Sequence, residues 1–332
     1  MRPLPAGYLL LALSACATAA EPSTPPRDVK TAIRDGLDFL AQESTNWKQS
    51  RACATCHHTP MAIWALNEAK KLGYTVDDEA LTELSTWVVA KDDPAKLYPK
   101  RSPSKEPDVN QAPLLLALGF EAGGTKAMEV GLKRMLSAVI EDQREDGSWR
   151  LSSPWRPIGS SPEVMTTLAL LALTAPNAPD LGEVGKAASQ KGLKWLEGSQ
   201  PGDDPQAVAL LLLLWKRLGR EPADWSPLVD QIRKGQNSDG GWGQAQGARS
   251  DAFATGQALY ALMEAGIKPG DDAIGKAQAY LTKTQGLEGS WPMDSRPNPR
   301  DGKPAKNVAP ITSAGSAWAV MGLARSAGPR DR

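Results

Sequence analysis

The fold is decided by residues 226–266, which read SPLVDQIRKGQNSDGGWGQAQGARSDAFATGQALYALMEAG. The first part predicts an amphipathic helix over about 226–235, because its apolar residues form a single stripe. QNSDGGW (236–242) then predicts a turn. The last part, about 250–265, is apolar almost all round and predicts a helix that is covered on every side. One half-exposed helix followed by one covered helix indicates a ring with two layers.

The same unit recurs along the chain. QREDGSW (143–149) and QGLEGSW (285–291) each stand between an amphipathic and an apolar segment, and QESTNW (42–47) is a shorter copy. Two further helix pairs lack the Gln–Trp turn. The six units begin near residues 27, 77, 125, 184, 226 and 271. The sequence therefore predicts an all-α fold of six helical hairpins, an α6/α6 toroid.

The Gln–Trp turns are predicted to be structural. Gly147, Gly241 and Gly289 would let the chain leave a helix through backbone conformations that other residues avoid. The Trp would fold back over the helix end, and the Gln amide would bond free backbone groups of the turn. We therefore expect these turns to hold the ring together and to carry no chemistry.

These turns resemble the repeats of squalene–hopene cyclases and of protein prenyltransferase β-subunits. The resemblance covers residues 27–326 and implies a closed toroid with a central cavity. The segment SDAFATGQALYALMEAG (250–266) is also similar to the matching repeat of secreted bacterial proteins of this superfamily. What the resemblance implies is a fold, since one fold serves many functions.

The N-terminus predicts export. Residues 1–20 contain a positive start, a short apolar stretch and small residues, which is typical of a secretory signal peptide. Leu13-Ser14-Ala15-Cys16 resembles a lipobox, which implies lipidation of Cys16 and an outer-membrane lipoprotein facing the periplasm. The alternative is cleavage near Ala19-Ala20, which would release a soluble periplasmic or secreted protein.

The rest of the chain predicts a single domain. Residues 21–26 form a polar tether, 27–326 the toroid and 327–332 a tail. Lys+Arg and Asp+Glu both number 38, so no charge excess suggests nucleic acid as a partner. The longest apolar run, 207–215, is too short to span a bilayer, so membrane contact is expected only through an N-terminal lipid anchor.

The sequence Cys53-Ala-Thr-Cys56-His57 matches the C-x-x-C-H pattern of c-type haem attachment. Thiols at positions i and i+3 can reach both vinyl groups of one haem. His57 would then lie under the iron as its proximal ligand. Haem c is attached outside the cytoplasm, which agrees with the predicted export signal. We therefore predict a covalent haem c at these residues.

Other chemistries remain open for the same residues. The two cysteines could form a disulfide or a redox-active dithiol. They could also bind zinc or copper together with His57 or, alternatively, His58. The sequence does not identify a sixth iron ligand. Met61 lies one turn from His57 on the same face and is not suitably placed. Met165, Met263, Met293 and Met321 could approach from other hairpins, but methionine is also an ordinary core residue.

Two connections are long and basic, at 92–108 and 292–310. They would close over the ring's mouth or, more simply, form solvated loops. Several inner helices also begin with an acid. Each acid is expected to cap its helix, with a cluster at the cavity mouth as the alternative. These acids are Asp108, Glu163, Asp204 and Asp251.

The motifs of the resembling families are absent from the sequence. Squalene–hopene cyclases protonate their substrate with an Asp-x-Asp-Asp segment, and the chain contains none. Prenyltransferases bind zinc through an Asp, a Cys and a distant His, and no distant His exists. The sequence thus favours a haem protein with a periplasmic redox partner. One alternative is an enzyme or binding protein whose cavity takes an isoprenoid or other lipid-like ligand. Another is a non-catalytic lipoprotein scaffold that presents the surface of the ring to a partner.

Overall fold

The computed structural model describes residues 27–51, 57–89, 107, 109–123, 129–151, 157–199, 202–294 and 307–328. This part of the chain is all-α and contains twelve helices. They are α1 (Val29–Ser50), α2 (His58–Lys71), α3 (Asp78–Val89), α4 (Gln111–Gly123), α5 (Glu129–Glu141), α6 (Pro162–Leu173), α7 (Gly182–Glu197), α8 (Pro205–Arg217), α9 (Pro222–Lys234), α10 (Ala252–Glu264), α11 (Asp272–Thr284) and α12 (Ala309–Ser326). Successive pairs form hairpins one to six.

The helices form two layers. The even-numbered helices contact one another in succession, and α12 contacts α2, so that the inner layer closes into a ring. The odd-numbered helices lie outside, packed against the inner helices. The predicted all-α class and the α/α toroid are thereby confirmed.

The two layers follow from the apolar patterns. In α9 only Leu228, Val229 and Ile232 are buried, which is the single stripe of a helix between core and water. In α10 every residue from Ala252 to Leu262 is buried, so this helix is covered on all sides. Such apolar helices belong to the core of the ring. Among the described residues, no helix combines the length and apolar composition needed to cross a bilayer.

Three Gln–Trp turns, at 143–149, 236–242 and 285–291, have the same bonds; we call them the stapled turns. In the first, Gln143 Nε2 donates to Gly147 O within the turn and to Ala188 O of the next outer helix, both at 2.9 Å. Trp149 Nε1 donates to Val139 O at 2.6 Å, which closes the end of α5. Gln236 and Gln285 repeat both Gln bonds, and Trp242 and Trp291 repeat the Trp bond.

The fifth residue of each stapled turn must be glycine. Gly147, Gly240 and Gly289 have φ angles of +97°, +89° and +87°. A Cβ at these positions would lie 2.5, 2.6 and 2.2 Å from a backbone oxygen of the next outer helix. The prediction placed this role on Gly241, which is wrong: Gly240 has the positive φ, and it is the residue that aligns with Gly147 and Gly289.

Two helix boundaries differ from prediction. Residues 42–47 do not form a turn, because α1 continues without a break to Ser50. Helix α9 begins at Pro222 and not at Ser226. Pro222 occupies the first helical position, where the missing N–H costs nothing, and Pro227 is accommodated inside the helix.

The last hairpin joins the first. Gln285 Nε2 donates to Ala32 O of α1 at 2.9 Å. Arg27 donates from its guanidinium to Gln285 Oε1 at 3.1 Å and to Gly286 O at 2.6 Å. Helix α12 also contacts both α1 and α2. The ring is therefore closed by the same kind of Gln bond that links hairpin three to four and hairpin five to six.

Candidate functional site

The predicted haem motif lies in the connection between α1 and α2. Cys53 and Cys56 lie outside the described residues, as does Cys16. His57 precedes α2 with φ −146° and ψ −8°, so the chain changes direction at this residue before the helix begins. Both ring nitrogens of His57 are buried. The motif's histidine is therefore located at the start of an inner helix.

His58 is held against α1. Its side chain is fully buried, and its Nε2 lies 3.3 Å from Glu43 Oε1. The imidazole stacks on the Trp47 ring, with centroids 4.2 Å apart and planes 27° apart. The Arg51 guanidinium lies 5.2 Å from the centroid of the same indole. His58 thus fixes the angle between the two helices of hairpin one.

The side chain and the backbone of His58 contact different helices. His58 directs its ring to α1, and its backbone oxygen accepts a hydrogen bond from Ser313 Oγ at 3.4 Å. Glu43 occupies its Nε2, which is one of the two nitrogens that an iron could use. His58 is therefore held on α1 by stacking and by its contact with Glu43.

The methionines considered as sixth ligand belong to the core. Four are buried, and Met263 is partly buried and packs against the same core. The four buried ones are Met61, Met165, Met293 and Met321. Met61 lies one helical turn beyond His57, and its N–H bonds His57 O at 3.4 Å. Each methionine thus has an ordinary packing role.

The predicted mouth acids act locally on their helices. Asp204 accepts hydrogen bonds from the backbone of Gln206 and Ala207, and Asp251 accepts one from Ala254. Both are N-caps. Glu163 lies in the first turn of α6, whose cap is Ser161. Asp108 falls outside the described part. Among the described residues, no group of three His, Cys, Asp or Glu side chains could hold a metal ion.

The two long basic connections are described only at their ends. Residues 90–106 and 295–306, which carry most of their charges, lie outside the described residues. The predicted closure over the ring's mouth therefore stays a prediction. Met293 of the second connection is buried, and its N–H bonds Thr312 Oγ1 at 3.3 Å.

Three inner helices meet without a gap. Trp318 of α12 is buried, and its ring contacts Trp64 of α2, Phe253 and Tyr260 at centroid distances of 5.1, 6.2 and 5.9 Å. A Cβ on Gly256 would lie 2.3 Å from the backbone of Trp318, so α10 and α12 touch through their main chains. Burial of its hydroxyl holds the pKa of Tyr260 well above the usual range, and the carboxylates of Glu68 and Glu264 add to that effect.

A cleft that the sequence did not predict lies between hairpins four and five. Its volume is about 1040 Å³. Three glutamines line it from α8, α10 and the connection before α10, and all are nearly inaccessible to solvent: Gln206 (7%), Gln244 (4%) and Gln257 (2%). The one available signal was that hairpin four lacks a Gln–Trp turn.

A second cavity of about 710 Å³ adjoins the first at Gln244. It is lined by Asp239, Asp251 and Tyr280, among others. Burial raises the pKa of the Tyr280 hydroxyl, and the nearby Asp251 and Asp239 carboxylates raise it further. Tyr280 is therefore a neutral hydrogen-bonding group at neutral pH.

Comparisons with known proteins support the fold. The model of the squalene–hopene cyclase N-terminal domain matches residues 206–291. The chain is 25% identical to a squalene–hopene cyclase of Bradyrhizobium diazoefficiens over an alignment that covers 95% of this chain. It spans 53% of that protein, or about half of its length.

Solved structures with a similar fold support the same assignment. A type II terpene cyclase from Scytonema, in complex with geranylgeranyl dihydroxybenzoate, matches with a TM-score of 0.55 and 15% identity, covering 90% of this chain and 97% of that one. A possible member of the GH105 family from Salmonella enterica also has a TM-score of 0.55 and 15% identity, covering 94% of this chain and 97% of that one. The chain therefore has a squalene–hopene-cyclase-like toroid fold.

Proposed function

From this squalene–hopene-cyclase-like fold, we propose that the protein is an exported redox protein that carries a covalent haem c in hairpin one. Cys53 and Cys56 would bind the haem vinyl groups, and His57 would be the proximal iron ligand. The role would be electron transfer to a periplasmic partner. The chain would reach the periplasm through residues 1–20 and would be anchored to the outer membrane by a lipid on Cys16.

The observation that supports this proposal is the different position of the two adjacent histidines. His58 is stacked on Trp47 and faces Glu43, so it contacts α1. His57 stands directly after Cys56, where the C-x-x-C-H pattern requires the iron ligand. Its two ring nitrogens are buried at the start of α2.

The test is a visible spectrum of the mature protein, co-expressed with a cytochrome c maturation system. We expect a Soret band and a covalent mass increase of one haem under denaturing conditions. Both should disappear in the Cys53→Ser, Cys56→Ser variant. His57→Ala should shift or abolish the Soret band, because the proximal ligand is lost. His58→Ala is the matched control and should retain the band while lowering the melting temperature.

Other outcomes would contradict the proposal. A colourless protein with a mass two hydrogens below that of the reduced chain would indicate a disulfide between Cys53 and Cys56. Zinc or copper in the native sample, lost in the same variants, would indicate a metal site. A colourless protein that co-purifies with an isoprenoid would favour the alternative of a cavity for a lipid-like ligand.

A further inference from the structure

The cleft lies where hairpin four lacks a Trp. In the stapled turns the indole fills the space at the end of the outer helix and bonds a carbonyl there, as Trp242 does with Ile232 O. The connection 198–204, GSQPGDD, contains no Trp. Leu196, at the end of α7, lines the cleft instead of being covered by an indole. The contact between hairpins is made from the other side, by Gln231 Nε2 donating to Gly202 O at 2.8 Å.

Two buried amide atoms in this cleft have no hydrogen-bond partner among the residues that the structure describes. Gln257 is 2% exposed, and its Nε2 has no hydrogen-bond partner among the described residues. Gln244 is 4% exposed, and its Nε2 donates to Asp251 Oδ2 at 2.7 Å. That bond fixes the amide orientation, and the buried Oε1 of Gln244 has no partner in the described part of the chain. Buried amides are normally bonded, so both atoms are available to hydrogen-bond a group that enters the cleft.

The two atoms have complementary roles. Gln257 Nε2 is a donor and Gln244 Oε1 is an acceptor. A hydroxyl group can accept from the first and donate to the second, whereas a carboxylate or an ammonium could satisfy only one of them. The atoms therefore select for neutral groups that both donate and accept.

The charges of the cleft agree with a neutral ligand. All of its charged lining residues are exposed and lie at the rim: Glu197, Asp203, Arg220, Asp224 and Lys234. Glu197 and Arg220 form an ion pair with each other. The buried lining is neutral, with apolar walls such as Leu211 and Phe253 beside the glutamines. A charged ligand would have no counter-charge at depth.

We propose that the cleft between hairpins four and five binds a neutral saccharide, whose hydroxyls accept from Gln257 Nε2 and donate to Gln244 Oε1. A saccharide is favoured over an isoprenoid alcohol because two buried amide atoms need hydrogen-bond partners. A saccharide offers several hydroxyls for them, whereas an isoprenoid alcohol offers one. This binding activity is independent of the haem proposed for hairpin one.

The test is isothermal titration calorimetry of the full mature chain with four saccharides at millimolar concentrations: maltotriose, cellotriose, mannotriose and triacetylchitotriose. At least one should bind, and Gln257→Leu should weaken that binding about tenfold. The same variant should keep or raise the melting temperature, because it replaces an unbonded buried amide with an apolar side chain of similar size. A purely structural Gln257 would instead lower the melting temperature on replacement.

Two further variants complete the test. Gln190→Leu makes the same change on the exposed surface of α7, away from the cleft, and should bind as the wild type does. Leu211→Trp should fill the cleft and abolish binding. Absence of binding to all four saccharides would overturn the proposal, as would binding that Gln257→Leu leaves unchanged. Gln257-dependent binding of detergent-solubilised farnesol, without saccharide binding, would overturn it in favour of an isoprenoid alcohol.

Discussion

Residues 143–149 and residues 42–47 both contain a Gln followed by a Trp, but they adopt different structures. The first forms a turn that bonds the neighbouring hairpin through Gln143. The second lies within α1, which runs on to Ser50. The difference is a glycine: QESTNW has none, while Gly147 takes a positive φ and packs against the backbone of Lys191. Gly147 lies within the turn itself, beyond the end of α5 at Glu141.

The comparison teaches that Gln and Trp alone do not make a turn, since the copy that is shorter and lacks the glycine stays helical. Because α1 continues to Ser50, Trp47 lies within the helix and not in a turn. The ring of His58 stacks on it. The stapled turns connect neighbouring hairpins. In hairpin one, Trp47 and Glu43 of α1 instead contact His58 of α2, within the same hairpin.

The largest effect is expected from Gly289→Ala. The new Cβ would lie 2.2 Å from Asp35 O, at a residue whose φ is +87°. Steric overlap and backbone strain together should lower the free energy of unfolding by at least about 3 kcal/mol. Urea denaturation measures the change.

The matched control for this variant is Gly266→Ala. Gly266 has nearly the same φ, +90°, but a Cβ there would meet no neighbouring atom within 4 Å. Only the strain should remain, about 1–2 kcal/mol. If the two variants lose equal stability, close packing of the turn on α1 is not what requires glycine.

A smaller effect is expected from Gln143→Leu. The variant loses the bonds to Gly147 O and Ala188 O and should cost about 1–3 kcal/mol of unfolding free energy. Gln42→Leu changes the corresponding residue of the first copy, which is exposed on α1, and should change stability by no more than about 0.5 kcal/mol. A comparable loss in Gln42→Leu would mean that the first copy also bonds a neighbouring hairpin.

The smallest effect is expected on the loss of stability at acidic pH. Burial acts to raise the pKa of Asp146, but hydrogen bonds from Ser148 and the charge of Arg150 outweigh it and leave the pKa below its usual value. A hydrogen bond from Ser290 likewise lowers the pKa of Glu288. Carboxylates with lowered pKa values stabilise the fold above their unfolded pKa, about 4, and lose that contribution as the pH falls through the folded value.

The Asp146→Asn, Glu288→Gln variant should therefore lose less stability than the wild type between about pH 5 and pH 2. Urea midpoints measured across this range test the prediction. Asp272→Asn serves as the control, because this exposed acid stands outside the turns and pairs with Lys276 on its own helix. A steeper pH dependence in the double variant would show that these acids do not support the turns.

Much of the fold follows from the sequence, because the apolar pattern separates covered helices such as α10 from half-exposed ones such as α9. The turn expected at 42–47 does not form. QESTNW matches the other copies in its Gln and Trp, although it lacks their glycine. The cleft glutamines could not be predicted. Gln206, Gln244 and Gln257 come from separate elements, and only the packed ring shows that two of their amide atoms lack partners among the described residues.

Closure of the ring also determines when the first helix can complete its packing during synthesis. The Gln285 amide bonds α1 across 253 residues of chain, and α12 covers α1 and α2. During synthesis the part of α1 that packs on the last hairpin therefore stays uncovered until that hairpin has emerged. Contacts of such long sequence separation make folding slow and leave apolar surface exposed meanwhile. A chain of this design benefits from being kept unfolded until it is complete, which is the state in which a polypeptide is threaded through an export channel.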